Sequence, residues 1–205
     1  LSYFGARYLD QMLGMWVSVD AKRQFNSPYL YAGNGTNPVN GVDPDGNILL
    51  YAPGSSPQFK AEFAKTISYL NNGGVSGPFA RIHADKEKIV YIQETNGESQ
   101  IVFDESKQTY VIEWNPNEGL VFPEGTQSPA LGVLHEAFHA ERLLADPEGF
   151  SRDKQTSDPI FQDLEEKRVI EGPEAKAAEK LGESRRFNYF DSDVAPVKSS
   201  TDLPE

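Results

Sequence analysis

The sequence contains no cysteine, which excludes a disulfide framework and thiolate metal ligation; any metal site must be built from His, Asp, Glu or water. Basic residues are also scarce. Nineteen Lys and Arg stand against 31 Asp and Glu, for a formal net charge of −12. Nucleic-acid affinity comes largely from Lys and Arg displacing counterions, so a phosphate-tracking groove, and with it a nuclease, is disfavoured. No apolar run approaches the roughly 18 residues of a membrane span, so none is expected. The opening Leu1-Ser2-Tyr3-Phe4-Gly5 lacks the basic and apolar regions of a signal peptide, and the chain reads as soluble. Histidine is rare as well, with three in 205 residues, which gives weight to any two at a meaningful spacing.

What is present suffices for one well-buried domain with an appendage, since 38% of the residues are apolar. Three zones are expected: 1–47, 48–193 and a loose tail of 194–205. The first is rich in Tyr, Gly, Asn and Pro and reads as strands and turns. It ends in Asn37-Pro38-Val39-Asn40-Gly41-Val42-Asp43-Pro44-Asp45-Gly46, where Asn, Asp and Gly tolerate positive φ and Pro fixes its own. In the second zone, Phe59, Phe63, Ile67 and Leu70 recur at spacings of four, four and three, which predicts a core-packed helix over 57–72, stopped by Asn71-Asn72-Gly73-Gly74. Three β-branched and aromatic runs follow: Ile89–Ile92, Ile101–Phe103 and Tyr110–Trp114. The turn signals between them predict a small antiparallel meander, and so an α+β fold. His83 has no ligand-spaced acidic or histidine neighbour and reads as a surface or packing histidine.

The chemistry lies in the second half of the second zone. Ser128-Pro129 is a helix-start signal, Leu131, Leu134, Phe138, Leu143 and Leu144 supply an apolar stripe, and Asp146-Pro147 ends the run. Within this helix stands His135-Glu136-Ala137-Phe138-His139. Four residues at about 100° each bring the two imidazoles to one face, about 5–6 Å apart at Cβ, close enough to share one ion. Glu136, one step round, can reach a water beside that ion without ligating it, which is the division of labour of the HExxH motif of zinc peptidases, with the glutamate as general base. The third ligand must be a carboxylate. Glu165 and Glu166 fall in a segment, 159–171, whose Phe161, Leu164, Val169 and Ile170 predict a second helix. The loose tail is expected from about Val194, where Pro and Ser interrupt a stretch without apolar periodicity.

Two resemblances sharpen these expectations. Tyr3-Phe4-Gly5-Ala6-Arg7-Tyr8-Leu9-Asp10, Gly14-Met15-Trp16-Val17-Ser18-Val19-Asp20, Ser27-Pro28-Tyr29-Leu30-Tyr31-Ala32-Gly33-Asn34 and the Asp43-Pro44-Asp45-Gly46 close resemble the end of the core of Rhs (YD-repeat) polymorphic toxins. The resemblance implies a β-repeat cocoon enclosing a C-terminal toxin, released by an aspartyl autoprotease to which Asp20 and Asp43 would belong; Val19 and Ala21 depart from the prolines usual around that first aspartate. His135-Glu136-x-x-His139, Glu166-x-x-Val169-Ile170, Glu174, Gly182, Arg185 or Arg186 and Tyr189 are similar to a zincin-type peptidase family that includes a type III effector cleaving host kinases. That similarity implies a zincin-like fold with zinc on His135, His139 and Glu166, with Glu165 and Glu174 as alternatives. Tyr189 or one of the arginines would steady an oxyanion. It also implies a secreted or delivered effector, a protein substrate in a target cell and a cognate immunity protein. A substrate strand would add to an edge of the sheet. The alternative from a different class is a noncatalytic module that binds a metal or a partner at the same surface.

Overall fold

The fold is taken from a computed structural model that describes residues 2–3, 8–10, 15–16, 49–84 and 89–204. Near the N-terminus, β1 (Ser2–Tyr3), β2 (Tyr8–Asp10) and β3 (Met15–Trp16) pair antiparallel in chain order. Asp20 and Asp43 lie outside the described residues.

The main sheet comprises β4 (Leu49–Tyr51), β5 (Val90–Glu94), β6 (Gln100–Asp104) and β7 (Thr109–Trp114), in the order β4-β5-β7-β6. It is mixed, not antiparallel. β4 runs parallel to β5, and β5 parallel to β7; only β6 and β7 form the expected hairpin. A parallel pair needs a long crossover. Between β4 and β5 it is supplied by α1 (Pro57–Asn72) and α2 (Gly77–Ala84), which also carries His83. The Asn96-Gly97 turn does not fold β6 back onto β5. It carries the chain past the slot that β7 then fills, which leaves β6 at the sheet edge.

α1 starts where Ser56 accepts a hydrogen bond from the Phe59 amide at 3.0 Å, and it ends at the predicted Asn72. Its Phe59, Phe63 and Leu70 face the sheet, where the Trp114 ring lies 5.7 Å from Phe59 and 5.9 Å from Phe63. Trp114 is fully buried, and its indole N–H donates to the Pro129 carbonyl at 2.9 Å, so the polar end of the largest core side chain is satisfied. Burying such a side chain contributes roughly 1.5–3 kcal/mol.

A second sheet follows. β8 (Glu118–Phe122) and β9 (Gly125–Gln127) form a hairpin, and β12 (Asp193–Pro196) pairs antiparallel with β8 on its other side. Gly125, at φ +145°, sits against Ser184, where a Cβ would collide with the hydroxyl. The tail is therefore not loose as its composition suggested. β12 is pinned by backbone hydrogen bonds, and Ser200, 1% exposed, bonds Thr66 and Glu62 of α1 through its hydroxyl while its carbonyl accepts from the Ala130 amide. These backbone and hydroxyl contacts leave no apolar periodicity to read.

α3 (Pro129–Ala145) is the central helix, covered on most sides by the sheets and by α1, α2 and α4 (Pro147–Lys154). A hairpin of β10 (Ser157–Asp158) and β11 (Gln162–Asp163) then leads into α5 (Leu164–Val169) and α6 (Ala175–Leu181), joined by a π turn over Ile170–Glu174. The helix expected over 159–171 thus starts later and runs further. Asp158 accepts from the Ile160 and Phe161 amides and bends the chain into a turn, and the true N-cap is Asp163.

Candidate metal centre

The helix bearing His135 and His139 is positioned from its first turn. The Ser128 hydroxyl accepts from the Leu131 amide at 3.2 Å, and Pro129 fills a position that needs no donor. Glu183 holds Ser128 in turn, accepting from its amide at 2.7 Å and its hydroxyl at 2.8 Å. Further along, Glu141 pairs with Arg81 of α2, which accounts for a charge at this otherwise buried helix. His135 and His139 project together, with Nε2 atoms 2.9 Å apart and ring planes at 79°.

The second half of the centre comes from α5, the π turn and α6. Asp163 caps α5 by accepting from the Glu166 amide at 2.9 Å, which presents Glu165 and Glu166 at the start of the helix. Pro173 lies inside the π turn, where its missing N–H and its ring oppose an ordinary α-helical hydrogen bond. The turn has a directional consequence. In an uninterrupted α-helix, the eight steps from Glu166 to Glu174 leave the two side chains about 80° apart. One extra residue absorbed by the π turn takes back about 100°, so both glutamates point at α3.

Each carboxylate has its own place. Glu166 sits 3.1 Å from His135 Nε2 through Oε2 and 3.3 Å from His139 Nε2 through Oε1, and these three residues form a buried group able to hold a metal ion. Glu174 and Glu165, the alternatives for the third ligand, lie behind the imidazoles. Glu174 Oε2 is 2.6 Å from His135 Nδ1, and Glu165 Oε1 is 3.0 Å from His139 Nδ1. Each is held by an arginine: Arg186 donates to Glu174 at 2.7 and 3.0 Å, and Arg168 to Glu165 at 2.6 and 2.8 Å.

This pattern tests whether the residues fit a metal. An ionised carboxylate only accepts, so each Nδ1 carries a hydrogen, and each imidazole, when neutral, turns its Nε2 lone pair inward. Two lone pairs 2.9 Å apart, with a third acceptor on Glu166, are mutually repulsive unless a cation lies among them. Carboxylate-backed histidines are the usual outer layer of a metal site, where they fix tautomer and ring orientation. The donor set of two imidazoles and a carboxylate fits a divalent ion.

The same environment sorts the acids. Burial alone would raise Glu166, but hydrogen bonds and charge from His135 and His139 hold it well below the usual carboxylate range. Burial is likewise outweighed at Glu174 by the Arg186 charge and the His135 hydrogen bond, and at Glu165 by Arg168 and His139. His135 is disfavoured as a cation by burial, yet Glu166 and Glu174 raise its pKa to about 10, which marks how strongly the site calls for positive charge. Glu136 goes the other way: burial raises its pKa despite the nearby histidines. Its Oε1 is 3.9 Å from His135 Nε2, and it has no hydrogen-bond donor among the described residues. It lines a cleft of about 940 Å³ that opens over the centre.

Tyr189 lines the same cleft, with its hydroxyl donating to Glu98 Oε1 at 3.3 Å across it; burial and the charges of Glu166 and Glu98 push its pKa up to about 12. Both arginines expected near the oxyanion have other partners, although Arg186 also lines the cleft. Arg186 is committed to Glu174, and Arg185 is exposed against the Phe187 ring. Sequence reasoning missed Lys154, whose ammonium is 2.7 Å from Glu166 Oε1, and Gln127, which donates to Glu174 at 2.9 Å. Arg168 was within reach of sequence reasoning, three residues from Glu165 on one helix. Lys154 and Gln127 carried no local signal. No protein-family model, curated protein or solved structure matches this chain.

Proposed function

We propose that this chain is a zinc-dependent endopeptidase of zincin type, with His135, His139 and Glu166 as metal ligands and Glu136 as general base. What carries the reading is the inward convergence of two Nε2 atoms and Glu166, with both Nδ1 atoms backed by buried carboxylates. When bound, a divalent ion supplies Lewis-acid polarisation of a carbonyl and makes a water easier to deprotonate.

The chain's own residues do the rest. Glu136 faces the cleft without a competing donor, and its raised pKa suits a group that takes a proton from the attacking water and returns it to the departing amine. The other three carboxylates are tied to cations or imidazoles and are kept as anions. Tyr189, on the wall of the cleft, donates to negative charge developing on the carbonyl oxygen once it leaves Glu98. β6 is an edge strand, and Gln100 and Ile101 from it line the cleft, so an extended peptide adds to it as a further strand.

In the biological reading that follows from the Rhs resemblance, the peptidase is a payload, carried in an Rhs cocoon of its own polypeptide and delivered by a bacterial secretion system. It acts on a protein of the target cell and is restrained by a cognate immunity protein. The decisive experiment is Glu136→Gln. The variant is expected to keep about one bound zinc per chain, measured by elemental analysis, while cleavage of an unstructured peptide library and toxicity on expression both disappear. Full cleavage or toxicity in the zinc-loaded variant would sink the enzyme reading.

A further inference from the structure

Lys154, the last residue of α4, has no role in the chemistry above. Its ammonium lies 2.7 Å from Glu166 Oε1 and 3.2 Å from Asp163 Oδ2, and the side chain, 42% exposed, borders the same cleft as Glu136. A half-exposed ion pair of this kind adds little stability. A cation beside a metal ligand also repels the metal. Its placement therefore acts against the affinity of the centre, and calls for a different purpose.

Glu166 offers two oxygens. Both face the imidazoles, Oε2 at 3.1 Å from His135 Nε2 and Oε1 at 3.3 Å from His139 Nε2, and Oε1 also receives Lys154 at 2.7 Å. Asp163 holds both partners at once: its Oδ1 accepts from the Glu166 amide, and its Oδ2 pairs with Lys154. The ammonium is thus fixed relative to the start of α5, and with it to the Glu166 backbone. We propose that Lys154 is a positioning residue that occupies Oε1, so that Glu166 offers a metal ion one oxygen only. A second oxygen from Glu166 would fill the coordination position that a catalytic site keeps open. The inference rests on the metal-dependent reading above and deepens it, because it assigns control of coordination number to a residue that is not a ligand.

The test uses the full chain, freed of metal and titrated with Co²⁺, whose visible absorption is intense in four-coordinate sites and weak in five- or six-coordinate ones. Wild type and Lys154→Arg are expected to give intense bands. In Lys154→Met the bands fall by roughly twofold or more as Glu166 becomes bidentate, while Co²⁺ is held at least as tightly because the like charge is gone. A Lys154→Met spectrum identical to wild type overturns the proposal. So does binding weakened about tenfold or more, because Lys154 would then be supporting the site rather than restraining one oxygen. Wild-type protein that takes up no Co²⁺ overturns the metal reading itself, and this inference with it.

Discussion

Glu174 carries two duties that a mutant cycle separates. It is 1% exposed, accepts from Arg186 at 2.7 and 3.0 Å and from Gln127 at 2.9 Å, and backs His135 Nδ1 at 2.6 Å. Glu174→Ala strands the Arg186 guanidinium, itself 8% exposed, and removing one partner of a buried pair costs about 3–5 kcal/mol. At this domain size each kcal/mol lowers the melting temperature by about 2–4 °C, so a fall of roughly 6–20 °C follows. Arg186→Met alone costs less, near the lower end, about 3 kcal/mol, because His135 and Gln127 still donate to the orphaned carboxylate. The double variant removes both charges. Its cost is expected to fall short of the sum of the single costs by about 2–3 kcal/mol. Zinc affinity should not recover with it. His135 has lost its orienting carboxylate in either background, which weakens binding about 10–100-fold. Denaturant unfolding of the metal-free protein and calorimetric zinc titration measure the two quantities. Additive stability losses, or an affinity that returns together with stability, would refute the division of labour.

Two further outcomes follow from the same geometry. The His135 pKa is raised from 6.5 to about 10, so its proton stabilises the metal-free fold fully below about pH 6.5 and is lost as pH rises through about 10. Metal-free protein should lose stability across that window while zinc-loaded protein does not, since the ion takes the place of the proton; parallel pH profiles in urea melts would contradict this. Truncation after Ser192 removes β12 from β8 and, among the hydrogen bonds of Val197 and Ser200, four whose partners are the Asn117 carbonyl, the Ala130 amide and the side chains of Thr66 and Glu62. At about 0.5–1.5 kcal/mol each, these are worth roughly 2–6 kcal/mol, and a truncated chain that unfolds at the same denaturant concentration would show the tail to be dispensable.

The fold was legible where a single helix buries one face, and illegible where partners decide. α1 was readable because Phe59, Phe63 and Leu70 mark the buried stripe, while Asn71-Asn72-Gly73-Gly74 marks its end. The strand runs were found as well, but a run such as Val90–Glu94 carries no mark of direction. Whether it meets β6 or β7 depends on which strand fills the adjacent slot, a non-local choice made by the whole sheet. The tail failed for a related reason. Its attachment depends on backbone groups and the Ser200 hydroxyl, and such partners leave no hydropathy pattern.

In the site, His135 and His139 were legible because both lie on one helix, where spacing alone fixes the face. The third ligand was not, since three glutamates fell within reach and hydropathy ranks none of them. Spacing also misleads here: on a regular helix Glu174 would point well away from Glu166, which leaves it no common target. The Gly172-Pro173 step is the clue, because a proline within a helical pattern makes the regular phase unreliable from that residue on. Once the π turn is granted, Glu166 and Glu174 share a face and must divide one imidazole between them. Glu174 meets His135 at Nδ1 and Glu166 approaches its Nε2, so on the proposed reading one is the support and the other the ligand. The proposed assignment thus depends on a helical irregularity of one residue, and the carboxylate that orients His135 is in place because the helix departs from 3.6 residues per turn at Pro173.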